Sequence, residues 1–263
     1  MKKNNKFLLV TRAYGITNMS KISHPLLKKY AERCSADFLV IDKKKINLGP
    51  FHNEIFQLYD LLDKYERIIN IDSDVLIKDN TPNLFDIVPE KKIGLLFEDV
   101  GYRKWSRRND IKKIQEKFGN INWKKGYINT GLIVVSRMHK NIFKVNPKEF
   151  WNEPGYDDVQ LGYMINKHKF EIYNLPVKYN HMSLNSELGY NWLYSYIIHY
   201  SGRGFYKDMD RSMQMERDKN IIENFHPIIF NFLNFKPRLR LICLGLWGYS
   251  KVFISFFKIL DGN

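Results

Sequence analysis

Apolar residues in this chain come in short unbroken runs rather than in alternation with polar ones. Phe7-Leu-Leu-Val10 and Phe38-Leu-Val-Ile41 are bounded by polar residues, and a helical pattern runs between them from about His24 to Arg33. Runs of this kind suit strands buried on both faces, and strand, helix, strand in such short order reads as a right-handed parallel unit. A second helical stripe, Ile55, Leu58, Leu61 and Leu62, leads into Arg67-Ile-Ile-Asn-Ile71, a third strand of the same sheet. Further runs lie at 93–97, 131–135, 170–175 and 196–200. The pattern predicts an α/β unit with a mostly parallel central sheet over residues 1–207, followed by a helical, basic and hydrophobic extension over 208–263. In that extension Leu241 to Leu260 is nearly all apolar, with a polar stripe at Gly248, Lys251, Ser255 and Lys258 that follows a helix.

Length and composition narrow the class. At 263 residues the chain can bury a core unaided, and 44% hydrophobic with 27% charged residues excludes disorder, collagen and coiled coil. Two cysteines, Cys34 and Cys243, make neither a disulfide framework nor a multi-thiolate zinc site. The apolar run Phe7 to Val10 is too short for a signal-peptide core of roughly 7–15 residues, so the reading places the protein in the cytoplasm. A net charge of +14 points to an anionic partner. Half of that excess lies in one stretch, Arg103 to Lys125, where nine basic residues face only Asp110 and Glu116. Ile111, Ile114 and Phe118 share one helical face there, which leaves the lysines on the other.

The chemistry starts at Asp72-Ser73-Asp74, where the apolar strand 68–71 ends. Carboxylates at i and i+2 project to one side of an extended chain, and two hard oxygen ligands suit Mg²⁺ or Mn²⁺. Ligands of open α/β sheets bind outside the carboxyl ends of the strands, where this pair falls. Capping of a loop by the two aspartates is the plainer reading of the pair alone.

The surrounding residues add to it. Tyr65-Glu-Arg-Ile-Ile-Asn-Ile-Asp-Ser-Asp-Val-Leu-Ile77, followed by Pro82-Asn-Leu-Phe-Asp86, resembles the D-x-D region of GT-A-fold glycosyltransferases, especially family 8-like enzymes such as glycogenin and bacterial lipopolysaccharide galactosyltransferases. Tyr127-Ile-Asn-Thr-Gly-Leu-Ile-Val-Val-Ser136 is similar to that family's F-N-A-G strand, Asp157-Asp-Val-Gln-Leu161 to its D-Q segment, and Ile198-His-Tyr-Ser-Gly202 to its late H-x-x-G. The resemblance covers roughly residues 6 to 207 and implies a GT-A fold. It implies Asp72, Asp74 and His199 as ligands of Mn²⁺ or Mg²⁺, and Thr11, Ala13 and Tyr14 as the turn that holds the base. Asp72, Ser73, Asn129, Gly202, Arg203 and Lys207 are implied as contacts of a uridine-linked sugar donor. Asn129, Asp157 and Asp158 are implied at the reacting centre, with retention of anomeric configuration. Two departures stand out: no Lys-Pro-Trp element follows Gly202, Arg203 and Lys207 flanking Gly204 instead, and Val159 stands where glutamine is expected after Asp158, leaving Asp157 or Gln160 as replacements.

Physically, a divalent ion at Asp72, Asp74 and His199 would neutralise the charge that builds on a departing diphosphate. Tyr190 and Trp192, in the polar loop before His199, are candidate acceptor contacts among aromatics that more often fill cores. The acceptor implied is a glycan or a lipid-linked glycan. The tail from about Phe225 to Leu260 is read as a peripheral membrane helix, with Leu244, Trp247 and Phe256 entering the acyl region and Lys251, Ser255 and Lys258 at the headgroups. Packing of that tail on the catalytic unit, or in an oligomer, is the alternative. Two other functions remain: a polyanion- or nucleic-acid-binding protein using the basic stretch, and a metal-dependent nucleotidyltransferase, for which Ala13-Tyr14-Gly15 supplies only one glycine of a phosphate-cradling loop.

Overall fold

The computed structural model describes residues 6–15, 17–224, 229, 232 and 235–260, the last five without their side chains. Its elements in order are β1 (Phe7–Arg12), α1 (Asn18–Arg33), β2 (Asp37–Ile41), a 3-10 segment (Phe51–Gln57) running into α2 (Leu58–Leu61), β3 (Arg67–Ile71), β4 (Val75–Ile77), α3 (Leu84–Ile87), β5 (Ile93–Phe97), α4 (Lys104–Phe118), β6 (Ile128–Ser136), α5 (Tyr156–Lys167), β7 (Ile172–Asn174), α6 (Ser183–Glu187), β8 (Ile197–His199), α7 (Arg211–Asn224) and α8 (Phe235–Leu260).

The central sheet has the order β2-β1-β3-β6-β5-β7. β1 pairs parallel with β2 and β3, and β5 with β7, while β6 runs antiparallel to both β3 and β5. The unbroken apolar runs are explained by cores on both faces. Leu8, Val10, Ile68, Ile133 and Val135 pack with Phe56 and Leu161 on one side, while Leu9, Ile69, Leu132 and Val134 pack with Leu27 and Tyr30 on the other. Adjacent residues of a strand thus feed different cores.

Three elements differ from the pattern read in the sequence. The 55–62 stripe is largely a 3-10 segment with one α turn. The run 131–135 is the centre of a nine-residue strand whose first residues, including Asn129 and Thr130, are buried although polar. The run 196–200 leaves the central sheet, because β8 pairs antiparallel with β4, Val75 opposite His199 and Ile77 opposite Ile197.

Described residues of α7 and α8 pack on the preceding unit. On α7 the buried Gln214 side chain donates to the carbonyls of Arg203, Tyr206 and Met209 and accepts from Phe205 N–H, and Asp218 accepts from Tyr200 Oη (2.9 Å). On α8, Leu241 is buried and Leu244 joins a cluster with Trp192, Tyr200, Phe205 and Met215. Leu244 therefore faces protein, against the reading that sent it into lipid. Phe225, the start assigned to the tail, and the side chains of Phe256 and Lys258 lie outside the described residues. The other side of α8 is open: Phe235, Leu239, Leu246, Phe253 and Ile254 are exposed, and Trp247 is exposed at the border between the two sides. Among the described residues no helix is long and apolar enough to cross a membrane.

Close approach of α8 depends on glycine. A Cβ at Gly245 would stand 2.4 Å from the Glu187 carbonyl oxygen, and one at Gly248 2.7 Å from the Tyr102 ring. Gly245→Ala is therefore expected to lower stability by about 1–3 kcal/mol, the usual range for overpacking, read as a shift of the denaturant midpoint with faster proteolysis of α8. Leu246→Ala, on the open side, should leave both within about 0.5 kcal/mol of the unaltered chain.

Candidate active site

Strand register assembles the centre. The Asp72 N–H donates to the Gly131 carbonyl (2.9 Å), carrying the β3–β6 ladder one residue beyond Ile71. The chain then turns at Ser73, whose carbonyl accepts from Ser23 Oγ of α1 (2.6 Å). β4 starts immediately and its pairing with β8 sets Val75 opposite His199, while Tyr200 N–H donates to the Asp74 carbonyl (2.9 Å). His199 Nε2 consequently lies 3.3 Å from Asp74 Oδ1 and 3.8 Å from Asp72 Oδ2. The three ligand atoms lie within 4.8 Å of one another. Gly131 is needed beside them, since a Cβ there would fall 2.2 Å from His199 Cε1.

A buried relay fixes the imidazole. The Glu98 carboxylate, an obligate acceptor when ionised, takes a bond from Asn129 Nδ2 (3.1 Å), and Gly131 N–H, an obligate donor, gives one to Asn129 Oδ1 (3.1 Å). With Asn129 so oriented, Asn180 Nδ2 donates to Asn129 Oδ1 (2.9 Å) and Asn180 Oδ1 is left to accept from His199 Nδ1 (2.9 Å). The relay thus keeps a proton on Nδ1, and Nε2 faces the two aspartates: it carries a proton in the imidazolium that they favour and offers its lone pair to a cation once that proton is lost, the orientation that outer hydrogen bonds give metal-ligating histidines. Two carboxylates and one oriented imidazole could hold a small divalent cation, and they fit that role.

Cations compensate the carboxylates. Buried Arg12, at the end of β1, hydrogen-bonds both Asp72 and Asp157, and Arg211, opening α7, donates to Asp74 Oδ2 (2.6 Å). Burial acts to raise the Asp74 pKa, but His199 and Arg211 outweigh it and hold the group at about 2. For His199 burial acts downward, yet Asp74 and Asp72 prevail and lift the imidazolium above the ordinary histidine value. Asp157 and Asp158 lie in the first turn of α5. Thr130 Oγ1 donates to both acids and Thr130 N–H to Asp158 (2.7 Å). Burial, then the charges of Asp157 and Glu98, push Asp158 well above the usual carboxylate range.

A cavity of about 660 Å³ adjoins this group, lined in part by Glu98, Asn129, Asp158, Gly202, Arg203 and Lys207. Of the two replacements read for the missing glutamine, Gln160 is occupied elsewhere, bonded to Trp151 N–H and the Glu149 carbonyl, and Asp157 is held by Arg12. Asp158 is the acid of the α5 turn that lines the cavity. At the end of β1, Thr11 is buried with Oγ1 lacking a hydrogen-bond partner, Ala13 is buried, and Tyr14 is exposed with its ring edge against Phe51. Trp192 is core, buried against Tyr200 and Phe205, and cannot stack a sugar. Tyr190 is exposed but lines a different cavity, with Arg108, Lys178 and Tyr194.

Five of the nine residues of the basic stretch are paired: Arg103 and Arg107 with Glu98, Arg108 with Asp99, Lys112 with Glu116 and Lys117 with Glu153. Sequence reasoning missed Arg12, Glu98, Thr130, Asn180 and Arg211. For Glu98 a signal existed, because Glu98-Asp99 follows an apolar strand just as Asp72 does.

No family profile and no curated protein sequence matches the chain. Solved structures do. A glycosyltransferase involved in glycosylation of the major capsid of PBCV-1 superposes with TM-score 0.53 at 12% identity, over 80% of this chain and 98% of that one. The galactosyltransferase LgtC with donor and acceptor sugar analogues gives 0.50 at 14% identity, over 84% and 97%. The bifunctional glycosyltransferase WbbM gives 0.51 at 13% identity, over 91% of this chain and 52% of that one. At such identities the likeness establishes architecture: the chain has the GT-A glycosyltransferase fold.

Calorimetric titration with Mn²⁺ tests the assembled ligands directly. One ion is expected per chain; Asp74→Asn should abolish its binding, and Asn180→Ala, which frees the imidazole, should weaken it by about 10–100-fold.

Proposed function

We propose that the protein transfers a sugar from a nucleoside diphosphate sugar, uridine-linked, to a glycan or lipid-linked acceptor. The observation that carries this reading is the Asp72, Asp74 and His199 group beside a cavity lined by Asn129 and Asp158, on a sheet with the GT-A fold. A divalent ion bound there, Mn²⁺ or Mg²⁺, would supply Lewis-acid stabilisation of the departing diphosphate. Thr11, Ala13 and Tyr14 form the turn at the end of β1 that receives the base, with the exposed Tyr14 ring the surface it meets. Ser73 shapes the turn between the two ligating aspartates. Gly202, at φ +63°, turns the chain so that Arg203 and Lys207 reach the cavity, where both cations meet the diphosphate. Arg211 adds a third positive charge beside Asp74.

In the transfer an acceptor hydroxyl oxygen bonds to the anomeric carbon, the bond from that carbon to the diphosphate breaks with its electron pair going to the diphosphate, and the hydroxyl proton leaves with it. Asn129, fixed by Glu98, positions the sugar. Asp157 and Asp158 flank the reacting centre, Asp158 on the cavity side, and the resemblance favours retention of configuration. The pairing of Arg103, Arg107 and Arg108 with the buried Glu98 and Asp99 weighs against the polyanion-binding alternative, since it removes those three cations from an external ligand.

The open side of α8 supports a membrane-peripheral location at the cytoplasmic face. Its exposed apolar stripe is flanked by Lys236, Arg240 and Lys251, the arrangement of an interfacial helix, and each basic residue near an anionic surface adds roughly 1 kcal/mol.

Calorimetry with uridine, guanosine, cytidine and thymidine diphosphates in Mn²⁺ should show uridine diphosphate binding most tightly, with Asp74→Asn removing that binding. Tighter binding of another base overturns the uridine choice. In flotation, the protein should rise with anionic liposomes and not with neutral ones, and Phe253→Asp should reduce the floating fraction severalfold.

A further inference from the structure

The lining of the catalytic cavity is not confined to the sheet. Leu241, Leu244, Trp247 and Lys251 of α8 form part of it, brought close by Gly245 and Gly248. A helix added after the sheet unit thus completes the site, and the chemistry it adds differs from that of the sheet.

Charge accounting separates the two parts. Among the acids of the lining, Glu98 holds Arg103 and Arg107, Asp158 accepts from Thr130, and Glu187 accepts from Tyr102 Oη (2.7 Å). Arg203, Lys207 and Lys251 have no carboxylate partner within ion-pair distance among the described residues. Arg203 and Lys207 stand on the segment directly after His199 and suffice, with a divalent ion, for a diphosphate. Lys251 is left over. Its ammonium lies 3.6 Å from the centre of the Trp247 ring, and that indole remains 55% exposed. A flat apolar ring stacks on the C–H face of a pyranose, and an adjoining ammonium pairs with an anionic substituent of that sugar.

We propose that this α8 wall is the acceptor subsite and that it selects a saccharide bearing a phosphate, Trp247 under the sugar ring and Lys251 on the anion. The inference rests on the reading of the cavity as a sugar-transfer site. Phosphate fits the setting because α8 also carries the exposed apolar stripe: a saccharide joined through phosphate to a lipid would bring its anion to the margin of α8 where Lys251 stands. A soluble sugar phosphate offers the same chemistry.

The experiment uses the full chain with Mn²⁺ and uridine diphosphate present, and titrates glucose 1-phosphate against methyl glucoside by calorimetry. Glucose 1-phosphate should bind about tenfold more tightly, the worth of one charge-assisted hydrogen bond. Lys251→Gln should erase that preference, Lys251→Arg should keep it, and Trp247→Ala should weaken both ligands. Equal affinity for the two ligands, or an unaltered preference in Lys251→Gln, overturns the proposal. Absence of uridine diphosphate binding in the first step defeats the sugar-transfer reading instead, while the sugar titration still reports on the subsite. A parallel arm compares vesicles carrying polyprenyl-phosphate-linked glucose with vesicles of the same lipid lacking it. Preferential, Lys251-dependent capture of the former supports a lipid-borne acceptor, and equal capture with tight glucose 1-phosphate binding supports a soluble one.

Discussion

Five carboxylates, those of Asp72, Asp74, Asp157, Asp158 and Glu98, converge at one edge of the sheet, and their mutual repulsion is the constraint around which the site is built. Each has a positive or donating partner, most of them from a distant part of the chain: Arg12 for Asp72 and Asp157, Arg211 and His199 for Asp74 and Thr130 for Asp158, with the nearer Arg103 and Arg107 for Glu98. Unpaired, buried charges of this sort would cost several kcal/mol each. The compensation explains why α4 and α7, neither of which supplies one of the five carboxylates, are tied to the centre. It also engages Arg103 and Arg107, two members of the stretch that reads in the sequence as a surface for polyanions.

The parts legible in the sequence were those with a local signature. Strands showed as apolar runs because both faces of the sheet are covered, Asp72 and Asp74 stood out as a carboxylate pair at a strand end, and His199 was joined to them through the resemblance of its H-x-x-G segment. The relay through Asn180 had no such mark: Asn180 sits in a short connection after Val177-Lys-Tyr179, and only the fold places its amide between Asn129 and His199. Arg12 stands inside the turn read as base-binding without a mark of its own, because its pairing with Asp157 joins residues 145 positions apart. Trp192 failed for the opposite reason, since a polar loop around it concealed a buried ring.

The C-terminal helix serves two environments. Its hydrophobic stretch is long because two apolar stripes share it, one docked through Leu241, Leu244, Gly245 and Gly248, the other facing outward through Leu239, Leu246, Phe253 and Ile254. A helix apolar on most of its circumference reads from sequence as membrane-seeking, and here half of that character is spent on packing against the sheet unit. Closure of the cavity and exposure of an apolar stripe are consequently properties of one rigid element, so whatever surface meets the outer stripe is held at a fixed position relative to the site.

The reversed strand β6 explains why so many polar groups meet at one edge. β1, β3 and β5 end there and deliver Arg12, Asp72 and Glu98, all just at or past a carboxyl end. β6 runs the other way, so its first residues arrive at the same edge, and with them the Asn129 amide and the N–H groups of Thr130 and Gly131. Asp158 and Asn129 take their hydrogen bonds from those groups. A sixth strand in the common direction would have brought its first residues to the far edge of the sheet, leaving the relay to His199 without its middle member. The polar start of β6 that interrupts the apolar pattern is therefore a consequence of the strand's direction: it begins where the chemistry is.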